Sequence, residues 1–465
     1  MAVPLSRPNA SPSDEPEPIA PSEGWLVAQA AALVVFSSWA LGGASAWAQD
    51  WIFALVLLSL PLLALRHREN RPFPFWAFVP ALLWLAFAII ALLNPSHIAS
   101  AHDGWFPRAG WIRWLPTTVD PAHTLADARL WLAALLQGAA AAALLRNARA
   151  ARWLWRVLAL NGVALAAIGA AFHFAQAEQV LGAFDAPEPS YFFATFYYKN
   201  HWAAYGALAA VASLALALLA WPAALEGNPA ARGQTLLFGG AGLLTLVTLP
   251  LPGSRAGALL AAVLIAGFGA TVLFLWWRAK QRRHPWILLA GVALALAIVG
   301  FGVNAYLPRG RADLTRTERQ FAGHNAGDAL DLRLLISRDT WSMARERPWF
   351  GWGPGCFEIV FPVFHGSYLR GPEGKPLARL EYAHNDWLQQ LAEDGIVGAA
   401  LLLVPAVIAG WRAWRRAALA GRWALAGCAL VAAYAWVDFP LHNPAVLMLW
   451  VVVLTTAHRL QPQSP

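Results

Sequence analysis

Long apolar runs alternate with short polar connections along most of the chain. About twelve such runs lie near 25–43, 51–65, 75–93, 130–145, 154–174, 202–221, 235–250, 256–277, 286–307, 384–410, 423–437 and 444–457, all rich in Ala, Leu and Val. Their lengths approach the roughly 20 residues that a helix needs to cross hydrocarbon. They lack the alternation of the roughly ten-residue strands of a membrane barrel. The pattern predicts an all-α polytopic membrane protein with about 12 transmembrane helices and one long helical loop late in the chain. A tail over 1–23 precedes helices one to nine in 24–307. The loop follows over 308–383, then helices ten to twelve in 384–458 and a short tail over 459–465.

The first tail mixes Pro16, Pro18 and Pro21 with Asp14, Glu15, Glu17 and Glu23, a composition that predicts disorder. It lacks the basic stretch of a cleaved signal peptide, so the first apolar run is expected to be retained.

Composition sharpens this reading. Of 465 residues, 58% are hydrophobic and 13% charged, against about 45–50% and about 25% in soluble globular chains. Disordered, collagenous and disulfide-scaffold classes are excluded, and a soluble enzyme fits poorly. The net charge of +8 could suggest nucleic acid, but its distribution argues for a lipid bilayer and no nucleic acid. Basic clusters stand at Arg66/Arg68/Arg71, Arg146/Arg149/Arg152/Arg156, Arg278/Lys280/Arg282/Arg283 and Arg412/Arg415/Arg416/Arg422. They follow runs two, four, eight and ten, always on one side, which the positive-inside rule assigns to the cytoplasm together with both termini. The outward connections are then 94–129, 175–201, 251–255, 308–383 and 438–443. Cys356 falls in a loop and Cys428 in an apolar run, so they are not expected to pair.

The 308–383 loop is too long for a simple connector. Its stretch 328–346 interleaves Leu330, Leu334, Thr340, Trp341 and Ala344 with charged residues, an amphipathic pattern suited to the membrane surface or the bundle. Pro348-Trp349-Phe350-Gly351-Trp352-Gly353-Pro354-Gly355 then breaks the helix and is expected to put Trp at interface depth.

Polar residues at span ends are costly unless they are paired, and four outward places carry them. Pro252-Gly253-Ser254-Arg255 is a turn before run eight, where Arg255 beside a helix N-terminus suits an anion, or reaches lipid head groups. Tyr198-Lys199-Asn200-His201 opens run six after an aromatic loop, where Lys199 suits a phosphate or snorkels from an aromatic belt. Eight arginines (Arg309, Arg311, Arg316, Arg319, Arg333, Arg338, Arg345 and Arg347) lie in 308–347, mostly as ion pairs or a solvated face, with Arg333 the foremost ligand candidate. His384-Asn385-Asp386 leads into run ten, with His384, Leu388, Leu391, Gly395 and Gly398 aligned along a helix, where the glycines would let another helix approach closely. His384 can take a proton near neutral pH or serve structurally.

His384, Asn385, Gly395 and Gly398 fit the His-[Asn/Ser/Gln]-nine residues-Gly-two residues-[Gly/Thr/Tyr] pattern of the O-antigen ligase family, which the chain resembles. Ser254-Arg255, the Pro348–Phe357 segment and Val437-Asp438-Phe439-Pro440-Leu441-His442 resemble further family features, over about 190–445. The resemblance implies a membrane-embedded glycosyltransferase fold of the GT-C type. It implies a metal-independent inverting transfer of a glycan from undecaprenyl diphosphate to an acceptor hydroxyl, at the periplasmic face of a bacterial inner membrane. Arg255, Arg333 and Lys199 would hold the diphosphate and His384 would act as base. Ser254, Asn200 and Asn385 would support them, with Asn385 and Asp386 orienting the ring or capping the helix. No metal site and no cofactor are expected.

The acceptor is lipid A–core for a ligase or a growing glycan for a polymerase. A protein hydroxyl is the third option, disfavoured because the chain ends soon after its last run. A transporter or flippase would place charges mid-span and show an internal repeat, and neither is visible.

Overall fold

A computed structural model describes residues 18–62, 75–100, 104–185, 191–278, 300, 329–366, 369 and 380–461. Run nine (but for Gly300), the basic clusters at 66–71 and 280–283, most of the first tail, and Arg309, Arg311, Arg316 and Arg319 lie outside them. The described chain is mostly helical. Its helices are α1 (Pro21–Trp39), α2 (Ala46–Leu57), α3 (Phe75–Leu93), α4 (Pro121–Leu144), α5 (Ala148–Phe174), α6 (Lys199–Leu225), α7 (Pro229–Thr248), α8 (Arg255–Arg278), α9 (Ala329–Glu346), α10 (Phe357–Phe364), α11 (Asp386–Arg416), α12 (Leu419–Tyr434) and α13 (Pro444–Thr456). Two small antiparallel hairpins join them, β1 (His97–Ser100) with β2 (Gly104–Pro107) and β3 (Gln179–Val180) with β4 (Phe184–Asp185).

Five of these helices, α3, α5, α6, α8 and α11, are long and apolar enough to cross a membrane, and α2, α12 and α13 are shorter apolar helices. Every expected run on described residues is a helix. Short polar residues set their starts. Asp120, Asn147, Asn228, Asn385 and Asn443 each accept a hydrogen bond from a first-turn amide, and Pro121, Pro229 and Pro444 follow three of these caps.

α6 is the axis. It is buried around its whole circumference from Trp202 to Leu218 and packs against α5, α7, α8, α12 and α13. Lipid tails are as apolar as these side chains, so close van der Waals fit is what holds such helices together. Ala-rich α6 provides it: Gly162 of α5 lies so close to Ala209 that an added Cβ would come within 2.4 Å of the Ala209 Cβ.

α9 and α10 form a second apolar cluster over the start of α4 and the first half of α11. The buried face of α9 carries Ile336, Thr340, Met343 and Ala344, whereas Leu334 and Trp341 point outward. The amphipathic helix exists, but its apolar residues form two stripes, because Ile336/Met343 and Leu334/Trp341 are separate pairs seven residues apart. Trp349 is exposed, but Trp352 is buried, its Nε1 donating to the Met343 carbonyl at 3.0 Å.

The expected continuous stripe of α11 is interrupted. Gly395 has φ 64° and ψ −172°, which splits the helix. The 348–353 segment fills the gap with its backbone. Trp352 N and Gly353 N donate to the Ala392 and Glu393 carbonyls at 3.1 and 2.8 Å, and Ile396 N and Val397 N donate to the Pro348 and Trp349 carbonyls at 2.8 and 3.0 Å. Broken helices survive at membrane depth only where such partners exist. Gly398 meets the Phe87 ring of α3, so one of the two motif glycines receives a helix and the other a loop.

Gly395→Ala should therefore lower the melting temperature in detergent, as the backbone conformation alone costs about 1–3 kcal/mol for other residues. A Cβ there would also lie 2.4 Å from the Phe350 nitrogen. Gly398→Ala would bring a Cβ to 2.5 Å from the Asp394 Cβ and 2.9 Å from the Phe87 ring, but without the left-handed backbone it should cost less than Gly395→Ala; equal losses would contradict the assignment.

Candidate active site around Asp438

Four helix ends converge on the connection between α12 and α13. Asp438 stands there, with a side chain only 1% exposed. Its Oδ2 accepts from the Tyr434 hydroxyl at 2.8 Å, from Asn200 Nδ2 at 2.6 Å and, at the limit of reach, from the Tyr198 hydroxyl at 3.5 Å. Its Oδ1 accepts from its neighbour Phe439 N at 3.0 Å. Asn200 in turn accepts from Ser254 Oγ at 2.7 Å, and Ser254 caps α8 by accepting from Gly257 N at 2.9 Å. A buried carboxylate thus ties together the starts of α6 and α8 and the end of α12.

Two partly exposed cations or proton acceptors cover it. Arg333 of α9 donates through Nη1 to the Val437 carbonyl at 3.0 Å and holds Nη2 3.7 Å from Asp438 Oδ2. His384 places Nδ1 3.6 Å from Asp438 Oδ1. Their side chains are 36% and 26% exposed. His384 has φ 52°, a left-handed conformation rare outside Gly. The turn is fixed on both sides, as Ala383 N donates to Gln389 Oε1 at 2.8 Å and Asn385 Oδ1 caps the Leu388 amide at 3.0 Å.

Phe439 is the packing centre. It stacks between Tyr198 and Tyr382 at centroid distances of 5.2 and 4.3 Å, and meets His384 and His201 edge to face at 5.0 Å each. The rings leave His384 little freedom to turn away from Asp438.

Charge follows the geometry. Burial alone would raise the Asp438 carboxyl, but the facing His384 ring, Arg333 and the Tyr434 hydroxyl outweigh it and hold it at about 2. Tyr198 is pushed up by burial and by the Asp438 charge.

A second His–carboxylate pair lies behind the first. Asp386 accepts from Leu441 N at 2.8 Å and from His442 Nδ1, and its own amide donates to the Ala435 carbonyl at 2.9 Å. Asp386 therefore clamps the connection that carries Asp438. Burial would push the His442 ring down, but the Asp386 carboxylate outweighs it and carries it up to about 9.

Of the residues singled out from the sequence, His384, Arg333, Asn200 and Ser254 meet around Asp438. Asn385 is a cap, and Asp386 pairs with His442 instead of orienting His384. Lys199 stands with Nζ 4.3 Å from the Tyr191 ring centre, beside the turn at Gly253. Arg255 is the exposed first residue of α8, next to Ser254. The sequence reading missed the role of Asp438 and of its ring shell, Tyr198, Tyr382, Tyr434 and Phe439. An acid isolated between two apolar runs, costly unless paired, was the signal that could have marked it. Among the described residues, no three His, Cys, Asp or Glu side chains are grouped to hold a metal ion.

Residues 240–403 match the model of the O-antigen ligase family. The match covers Ser254, Arg255, Arg333, His384 and Asn385, and stops before Asp438. It supports an O-antigen ligase- or polymerase-type activity, with glycan and lipid substrates in a membrane setting. A search of the curated proteins found no match.

The two pairs give stability opposite pH limits. Asp438 is held below its usual 3.8, so its contribution is full above that value and is lost as pH falls toward about 2. His442 is held above 6.5, so its contribution is full below that value and is lost as pH rises through about 9. Thermal unfolding across pH should lose its acid limb in Asp438→Asn and its alkaline limb in His442→Gln. Unchanged limbs would show that neither pair is coupled to folding.

Proposed function

We propose that this protein is a glycosyltransferase of the O-antigen ligase type, acting at the periplasmic face of a bacterial inner membrane with both termini in the cytoplasm. It moves a glycan from undecaprenyl diphosphate to an acceptor hydroxyl, with lipid A–core as the first acceptor and a growing glycan as the second. The observation that carries this reading is the pairing of half-open His384 and Arg333 over one buried, ionised carboxylate.

The chemistry follows from those positions. His384 takes the proton of the acceptor hydroxyl while its oxygen attacks the anomeric carbon. The bond from that carbon to the diphosphate breaks on the opposite face, which inverts the configuration. Asp438 stabilises the imidazolium that forms and keeps the ring in place, a division of labour familiar from His–carboxylate pairs. The leaving diphosphate gains negative charge, and Arg333, Arg255 and Lys199 supply cations for it. Arg333 reaches Asp438, which Asn200 joins to Ser254, the residue before Arg255, so both arginines are tied to the framework that holds the base. The work falls to guanidinium groups, and no divalent metal takes part.

Purified protein with an undecaprenyl-diphosphate glycan should modify lipid A–core; extension of a second donor molecule instead would favour the polymerase. His384→Ala should cut turnover about 10²–10⁴-fold, the usual worth of a general base, and His384→Gln should not restore it. Near-normal turnover in the Gln variant would remove His384 from the proton transfer. Arg255→Lys and Arg333→Lys keep charge but lose the fork, and both should impair turnover with expression intact. Activity should persist in chelator; loss on chelation with recovery on adding magnesium or manganese would refute the metal-free mechanism.

A further inference from the structure

Far from Asp438, the other end of the bundle gathers cations that the transfer does not use. α4 ends before Arg146, α11 ends at Arg416, and α13 runs through a short 3-10 turn into His458 and Arg459. Their backbone carbonyls are already engaged. Arg459 Nη1 donates to the Arg146 carbonyl at 3.4 Å, and Gln461 Nε2 donates to the Arg416 and His458 carbonyls at 3.1 and 2.9 Å. Arg152 Nη1 donates to the Gln461 carbonyl at 3.3 Å.

These bonds fasten the chain but do not neutralise it. Arg459 lies in the field of Arg146 and Arg416, and His458 faces Arg459 and Arg416. Two nitrogens in the cluster, Arg459 Nε and His458 Nδ1, are sealed from solvent with no hydrogen-bond partner. Glu23 is the acid that faces the cluster, and its Oε1 accepts from the Arg146 amide at 3.0 Å. Among the described residues, one carboxylate stands against the guanidiniums of Arg146, Arg416 and Arg459, of which the first two are exposed and the third is half-buried, so an excess of positive charge is presented where an anionic head group can meet it. Along α11, which ends at Arg416, Val404, Val407, Trp411 and Trp414, together with Leu419 at the start of α12, present exposed apolar surface. A charged head and two long apolar tails would fit that sequence of surfaces.

We propose that Arg146, Arg416 and Arg459 form a binding site for the phosphate of an anionic phospholipid in the leaflet against this end, its acyl chains lying along α11. Guanidinium forks suit phosphate oxygens.

The full chain in mild detergent is incubated with phosphatidylglycerol or phosphatidylcholine and read by native mass spectrometry. Wild type should retain phosphatidylglycerol in preference to phosphatidylcholine. Arg416→Gln/Arg459→Gln should lower that retention by roughly fivefold or more, as expected for the loss of two surface-level arginines. Millimolar inorganic phosphate should not displace the lipid. Equal retention by wild type and the double variant overturns the site, and displacement by inorganic phosphate overturns the assignment to lipid. Should the double variant fail to fold, Arg459→Lys keeps the charge without the fork and should still retain less phosphatidylglycerol. Equal retention there counts against the site too.

Discussion

A carboxylate that stays ionised while hidden from water is the constraint around which this molecule is arranged. Taking such a group out of water costs several kcal/mol unless charge and hydrogen bonds replace what water gave. Asp438 finds its replacements on four elements that are far apart in sequence. Asn200 lies 238 residues away and Arg333 lies 105 residues away. Each of those elements is therefore fixed by the same requirement. The start of α6 must bring Asn200, the cap of α8 must hold Asn200 from behind, and α9 must lie low enough for Arg333 to arrive. Reactivity and packing are not separate achievements here, because the group that steadies His384 also gathers the helix ends.

The glycine break in α11 solves a related problem on the backbone. A loop as long as 308–383 would have no fixed relation to the bundle if it only rested on it. By lending its own amides and carbonyls to the gap at Gly395, the 348–353 segment becomes part of a spanning helix. α9 is joined to that segment, so the position of Arg333 is inherited from a backbone ladder.

Much of this was legible in the sequence. Apolar runs gave the helices, but the Asp/Asn-Pro pairs that cap several of their starts were not read as such. His384, Arg333, Asn200 and Ser254 were recognisable as polar residues where polarity is expensive. Asp438 was visible as a residue but not as a hub, because nothing local says that Asn200, Tyr434 and His384 will reach it. Gly395 was read as a place of close helix approach. A glycine at a contact and a glycine at a left-handed break look alike until φ is known. The two stripes of α9 were merged for a similar reason, since 3.6-residue periodicity alone does not say which apolar edge meets the bundle.

The order in which the parts are made adds something to the dependence of Arg333 and His384 on Asp438. A ribosome delivers Lys199 and Arg255 first, Arg333 later, and Asp438 after all three. Until the hairpin of α12 and α13 has been inserted, His384 has no carboxylate behind it and Arg333 lacks its Val437 and Asp438 partners. An unfinished or mis-inserted chain in the membrane is consequently an idle one. The helix ends that Asp438 gathers are thus joined only once α12 and α13 stand beside α6 and α8.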